Sequence, residues 1–108
     1  VLLARVLAGS PRWILADEPL AALDLAHQQR LIAHFRSCAA AGQGVVVVLH
    51  DLAIAMNHAD DVLVLKDGQC IAGGAPRTAL APAVIRQGWG ADMVWIGEPG
   101  AMALVTAR

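Results

Sequence analysis

The apolar positions of this chain fall into short blocks whose period changes along the sequence. Residues 1–9, VLLARVLAG, read as an apolar helix, with Gly9 and Pro11 as stop signals. Residues 13–16, WILA, form a short unbroken apolar run of the kind that makes a buried strand. After Asp24 the spacing becomes helical: Gln28, Ile32, Phe35 and Ala39 share one face, with Leu25 and Leu31 flanking it. Asp24 is a good N-cap for this helix, and Gly42 and Gly44 close it. Residues 45–49, VVVVL, show no polar alternation, which predicts a strand covered on both faces of a parallel sheet.

Residues 13–49 therefore spell strand, helix, strand, a unit that sets its two strands parallel through a right-handed crossover. A second helix is expected over residues 52–58. Two β-rich runs then flank Lys66-Asp67-Gly68, and Asp-Gly is a strong hairpin signal. Residues 76–90 suggest a short helix broken by Pro82, and the tail suggests two strands around Gly97–Gly100. The predicted class is α/β: a parallel sheet with flanking helices and a C-terminal β-hairpin region. The drift toward strand after residue 60 reads as a change of layer within one domain, residues 1–108. Because Val1 falls inside a helical pattern, the front of a longer protein is expected to be missing.

Composition narrows the class further. The chain has 108 residues, 57% hydrophobic and only 4% aromatic, which is enough for one small core. A formal net charge of −1 supplies no basic field for nucleic acid, so no nucleic-acid partner is expected. The apolar runs are too short to span a bilayer, and no signal-peptide pattern opens the chain. Cys38 and Cys70 are too few for a disulfide framework and read as reduced thiols.

The chemistry gathers where the predicted strands end. The first delivers Asp17 and Glu18 and the second delivers His50 and Asp51 to what would be one sheet edge. Ligands of open α/β sheets bind beyond that edge. Neighbouring strands lie about 4.8 Å apart, so Asp17, Glu18 and His50 could surround one small volume. Asp17 suits a hard cation such as Mg²⁺ whose shell waters complete. Glu18 could polarise a water, and His50 could donate to a phosphate oxygen. Structural alternatives stand beside each reading. Asp17 and Glu18 could open a helix, His50 could be a satisfied structural residue, and Asp24 could be an N-cap and nothing more. His27 and His34, seven apart, read as a solvated face rather than a ligand pair. His58 with Asp60 and Asp61 reads as a surface turn, and Trp89 and Trp95 as packing residues of the C-terminal layer.

Taken in order, ILADEPLAALD and VVVVLHDL resemble the second half of the ATP-binding subunit of ABC transporters. The resemblance is firm to about residue 75 and looser beyond it. It implies a P-loop NTPase-like sheet in which Trp13–Asp17 look like the Walker B strand. Glu18 then matches the family's catalytic glutamate and His50 its switch histidine. Residues 21–24, AALD, match the loop that faces the partner subunit, so Asp24 would border the nucleotide site, and Asp17 would hold Mg²⁺ through water. ATP and Mg²⁺ are the implied cofactors. The implied partners are a second ATPase subunit, arranged head to tail, and transmembrane permease subunits, with the protein peripheral to the cytoplasmic face of the inner membrane. LDLAHQ, residues 23–28, and WGADMVWIG resemble the importers of iron-siderophores, haem or cobalamin. The chain contains no G-x-x-x-x-G-K-[ST] phosphate loop, Q-loop or signature motif, so the 108 residues alone are expected to be inactive.

Two readings compete. One is a metal-dependent phosphoesterase using Asp17, Glu18 and His50, which needs further ligands and has only Asp51 and Asp60 near in sequence. The other is a non-catalytic interaction domain that keeps the shape alone. A soluble ABC-type ATPase of DNA repair or translation would share the same motifs.

Overall fold

The computed structural model describes residues 13–107, so the helix predicted over residues 1–9 lies outside the described residues. Contacts divide the chain into two compact units, Val1–His50 and Asp51–Arg108.

In the first unit, β1 (Trp13–Asp17) and β2 (Gly44–Val48) pair in parallel, from Trp13 opposite Gly44 to Asp17 opposite Val48. Between them runs α1 (Leu25–Ala40). Its start is set by Asp24, whose carboxylate accepts from the His27 backbone N–H at 2.9 Å and so satisfies an orphan donor of the first turn. Its end is a Schellman motif: the Gly42 N–H donates to Ala39 O at 3.0 Å and the Gln43 N–H to Cys38 O at 3.1 Å. Gly42 takes φ +95° to make that reversal, a conformation glycine adopts at no steric cost. Gly44 is needed for a different reason. The Trp13 indole lies across it, and a Cβ there would come within 2.2 Å of the ring.

The unit's core is Ile14, Ala16 and Phe35, with Leu31, Cys38, Val45 and Val47 packed against it. The predicted helix face is correct at Phe35, Leu31 and Ile32, while Leu25 is 79% exposed. Of the two covered faces expected for the second strand, the described residues supply one. Among the described residues α1 covers one face, and Trp13, Leu15, Val46 and Val48 are exposed on the other. An apolar run without alternation states that both faces are apolar; what covers each face is decided by chain elsewhere. Phe35 closes the covered face, so Phe35→Ala should destabilise this unit by about 3–5 kcal/mol, the cost of an aromatic cavity. Urea unfolding of the protein measures this, and a loss below about 1 kcal/mol would place the core elsewhere.

The second unit opens with α2 (Leu52–His58), capped by Asp51, whose carboxylate accepts from Ala53 N at 3.0 Å and Ile54 N at 3.2 Å. Two antiparallel hairpins follow, β3 (Val62–Lys66) with β4 (Gln69–Gly74), and β5 (Met93–Glu98) with β6 (Ala101–Thr106). The first turns through Asp67 and Gly68, both at positive φ, which matches the twist of the strands they join. Between the hairpins lie α3 (Pro76–Ala79) and α4 (Pro82–Trp89), each with proline in its first turn. Pro82 therefore starts a helix as well as ending one, because its missing N–H is unneeded there. Met56, Val64, Ala79 and Leu80 form the core, and the Trp95 indole donates to Leu80 O at 2.7 Å. Trp95 packs as expected, whereas Trp89 is 49% exposed and packs less than the sequence implied. Asn57 joins α2 to β6: its amide donates to Met102 O at 3.0 Å and accepts from Met102 N at 2.8 Å, as a neighbouring strand would.

Candidate functional site at the end of the parallel strands

Parallel pairing carries the candidate residues to one edge. The ladder continues one step beyond β1, where the Glu18 N–H donates to Val48 O at 2.9 Å. Glu18 itself lies at φ +48°, in the left-handed region, which costs a non-glycine residue on the order of 1–3 kcal/mol. Pro19 disfavours the right-handed helical conformation at the residue before it. The chain therefore cannot run from strand into helix at Asp17-Glu18, and the helix-opening alternative for these two residues falls. The loop instead turns through Leu20 and reaches its helix at Asp24.

His50 stands two residues beyond Val48, past the end of β2. Its Nε2 meets Glu18 Oε1 in a hydrogen-bonded pair. Side-chain exposure is 80% for His50 and 43% for Glu18, so the pair is largely solvated and contributes little to folding stability. What it does is hold an imidazole and a carboxylate together at the strand ends. Asp17, opposite Val48, is exposed at the same edge. Of the predicted trio, Glu18 and His50 are brought into direct contact, while Asp17 stands at the last position of β1.

Asp24 has two structural roles at once. Besides capping α1, its Oδ1 lies 2.8 Å from His27 Nδ1. The His27 backbone N–H holds the Asp24 carboxyl below its ordinary range, with the His27 side chain and the Ala26 N–H adding to the effect. A carboxylate depressed in the folded state stabilises above its unfolded pKa, and that contribution is lost as pH falls through the folded value. The His27 contact was not predicted; an Asp three residues before a His at a helix start was the available signal. His27 and His34 do not converge, since His34 Nε2 instead lies 3.6 Å from Cys38 Sγ. Asp51, offered to the phosphoesterase reading, is engaged with backbone N–H groups of α2. Asp51 and Asp60 both belong to the second unit. Among the described residues no group of three or more His, Cys, Asp or Glu is placed to hold a metal ion.

The chain as a whole resembles known proteins. The chain is 44% identical over 98 residues to the hemin import ATP-binding protein HmuV of Roseobacter denitrificans, covering 83% of this chain and 38% of that protein. It is 46% identical over 99 residues to the HmuV protein of Rhodococcus jostii, covering 92% of this chain and 34% of that protein. Its fold matches a metal-chelate type ABC transporter in an inward-facing conformation with a TM-score of 0.81, at 23% identity, over 99% of this chain and 44% of that chain. Over most of its length the chain is homologous to these ATP-binding proteins, and its fold is that of an ABC transporter ATPase. An ATP-binding cassette of an ABC transporter also matches, with a TM-score of 0.64 at 26% identity, over 76% of this chain and 34% of that one. No family model matches the chain. The chain spans less than two fifths of these curated relatives, 38% and 34% of their lengths. In this chain the carboxylates and the histidine stand at the ends of β1 and β2. No helix among the described residues is long and apolar enough to cross a membrane.

Proposed function

We propose that the whole protein is the ATP-hydrolysing subunit of an ABC importer, and that residues 1–108 are part of its nucleotide-binding domain. The observation that carries this is the Glu18–His50 pair at the ends of two parallel strands, in a chain 44% identical to a hemin import ATP-binding protein. Haem or another metal chelate is the substrate class that these relatives favour. The protein would work at the cytoplasmic face of the membrane beside permease subunits, as one of two ATPase subunits facing each other head to tail.

The donor set fits Mg²⁺. Asp17 and Glu18 are hard oxygen donors, and a magnesium ion shared with nucleotide phosphates needs only one or two protein carboxylates. Asp17 would hold it through water, and when bound it neutralises charge on the phosphates. Glu18 accepts a proton from the attacking water. His50 donates from its ring to a phosphate oxygen, which requires its contact with Glu18 to open or to be shared. Asp24, exposed at the start of α1, borders the partner subunit.

Phosphate release from Mg-ATP by the purified full-length protein is the direct test; none, with or without permease, would sink the reading. Asp24→Asn separates the seam from the cap. Asn caps a helix about as well as Asp, so folding stability should hold within about 0.5 kcal/mol. Hydrolysis should still fall several-fold; a variant with parental hydrolysis would leave Asp24 as a cap alone.

A further inference from the structure

The loop between β1 and α1 carries Glu18 at one end and Asp24 at the other, yet it has little backbone bonding of its own. Its internal bonds are Ala21 N to Glu18 O at 3.4 Å and Leu23 N to Leu20 O at 3.1 Å, the first of them long. A third support comes from outside. Gln28, on the first turns of α1, sends its side-chain amide back over the loop, where Nε2 lies 3.2 Å from Leu20 O and 3.2 Å from Leu23 O. An amide nitrogen has two hydrogens, and here each has its own carbonyl. Both bonds are partly buried. The base of the clamp is fixed as well, because the Gln28 backbone N–H donates to Asp24 O at 2.9 Å.

We propose that Gln28 is a positioning residue of the nucleotide site, whose amide clamps the Leu20 and Leu23 carbonyls and so sets where Glu18 and Asp24 stand relative to each other. The two ends of loop 18–24 are tied down by the Glu18 N–H on Val48 O and by the Asp24 cap, and its middle by the buried side chain of Leu20. Hydrophobic burial is non-directional, so it holds the loop down without fixing its rotation. The clamp adds direction. It also explains a polar residue on the apolar face of α1: the position needs two donors on a long arm. A carboxylate there would face two carbonyl oxygens with no hydrogen to offer.

The placement of Glu18 for hydrolysis rests on the function proposed above; the clamp itself does not. The experiment uses the full-length protein with two substitutions of similar length. Gln28→Met keeps the length and removes both donors. Gln28→Lys is one atom longer and supplies donors from an ammonium group. Amide hydrogen exchange is read at Ala21 and Leu23, and kcat is read against the affinity for Mg-ATP. In Gln28→Met, exchange at these two amides should accelerate about five- to tenfold, the scale of one lost hydrogen bond. Exchange inside α1 and the urea midpoint should stay near parental values. ATP affinity should hold within about twofold while kcat drops about tenfold, because small misplacements of a catalytic group carry large rate costs. Gln28→Lys should restore most of the loop protection and most of kcat.

Unchanged loop exchange in Gln28→Met would overturn the proposal, and so would faster exchange with an unchanged kcat in an active parent. Equal behaviour of the Lys and Met variants would overturn it too, since donors would then be irrelevant. A parent without ATPase activity would refute the proposed function separately, and the exchange data would still decide whether Gln28 holds the loop.

Discussion

Glu18→Gln in the full-length protein is expected to keep ATP binding and to lower turnover by about 10²-fold or more, the scale of a lost general base. The substitution is a narrow one. The backbone bond from Glu18 N to Val48 O does not involve the side chain, so the residue stays at its place on the sheet edge. The left-handed φ at position 18 is no worse for Gln than for Glu. The amide oxygen can still accept from His50. What disappears is the negative charge to which the proposed mechanism assigns the proton of the attacking water. Nucleotide-bound dimers should therefore accumulate. Single-turnover hydrolysis of ATP by the variant is the measurement, and a rate close to the parent would remove Glu18 from the chemistry.

His50→Ala should reduce turnover by at least about tenfold, within the range for positioned acid–base groups, with a much smaller effect on ATP affinity. The ring is 80% exposed, so truncation opens no cavity, and stability should change by no more than about 0.5 kcal/mol. Because His50 touches Glu18, the two positions should be coupled. Groups that act as a unit are non-additive: once one is lost, removing the other costs little more. The double variant Glu18→Gln/His50→Ala should therefore hydrolyse ATP only slightly more slowly than Glu18→Gln alone. Full additivity would show that the contact is incidental to catalysis. Loss of affinity with turnover per bound ATP unchanged would move His50 from chemistry to binding.

Much of the architecture could be read from neighbouring residues. The unbroken runs WILA and VVVVL, with a helical period between them, specified strand, helix, strand. Asp24 and Gly42 marked the helix ends, and Asp67-Gly68 marked a hairpin. Each of these rests on interactions within a few residues, which is why they are legible. Parallel pairing followed because a helix-length crossover leaves little alternative. From that pairing, the joint arrival of Asp17, Glu18 and His50 at one edge could be anticipated.

Other features were decided only in three dimensions. Glu18 meets His50 across 32 positions of sequence, and only the register Asp17 opposite Val48 brings them within reach. The left-handed backbone at Glu18 is not a preference of Glu; it is adopted where the residue bonds Val48 O on the neighbouring strand, and Pro19 closes off only the right-handed helical alternative. Trp13 lies over Gly44, although in sequence that glycine read only as a helix terminator. Gln28 counted as one position of a helical face until its amide was seen on two loop carbonyls. The sequence alone thus determined the elements, their ends and the direction of the strands, since those depend on backbone preferences and on apolar period. The tertiary structure decided which side chains meet and which faces stay bare, because those depend on the reach and direction of groups far apart along the chain.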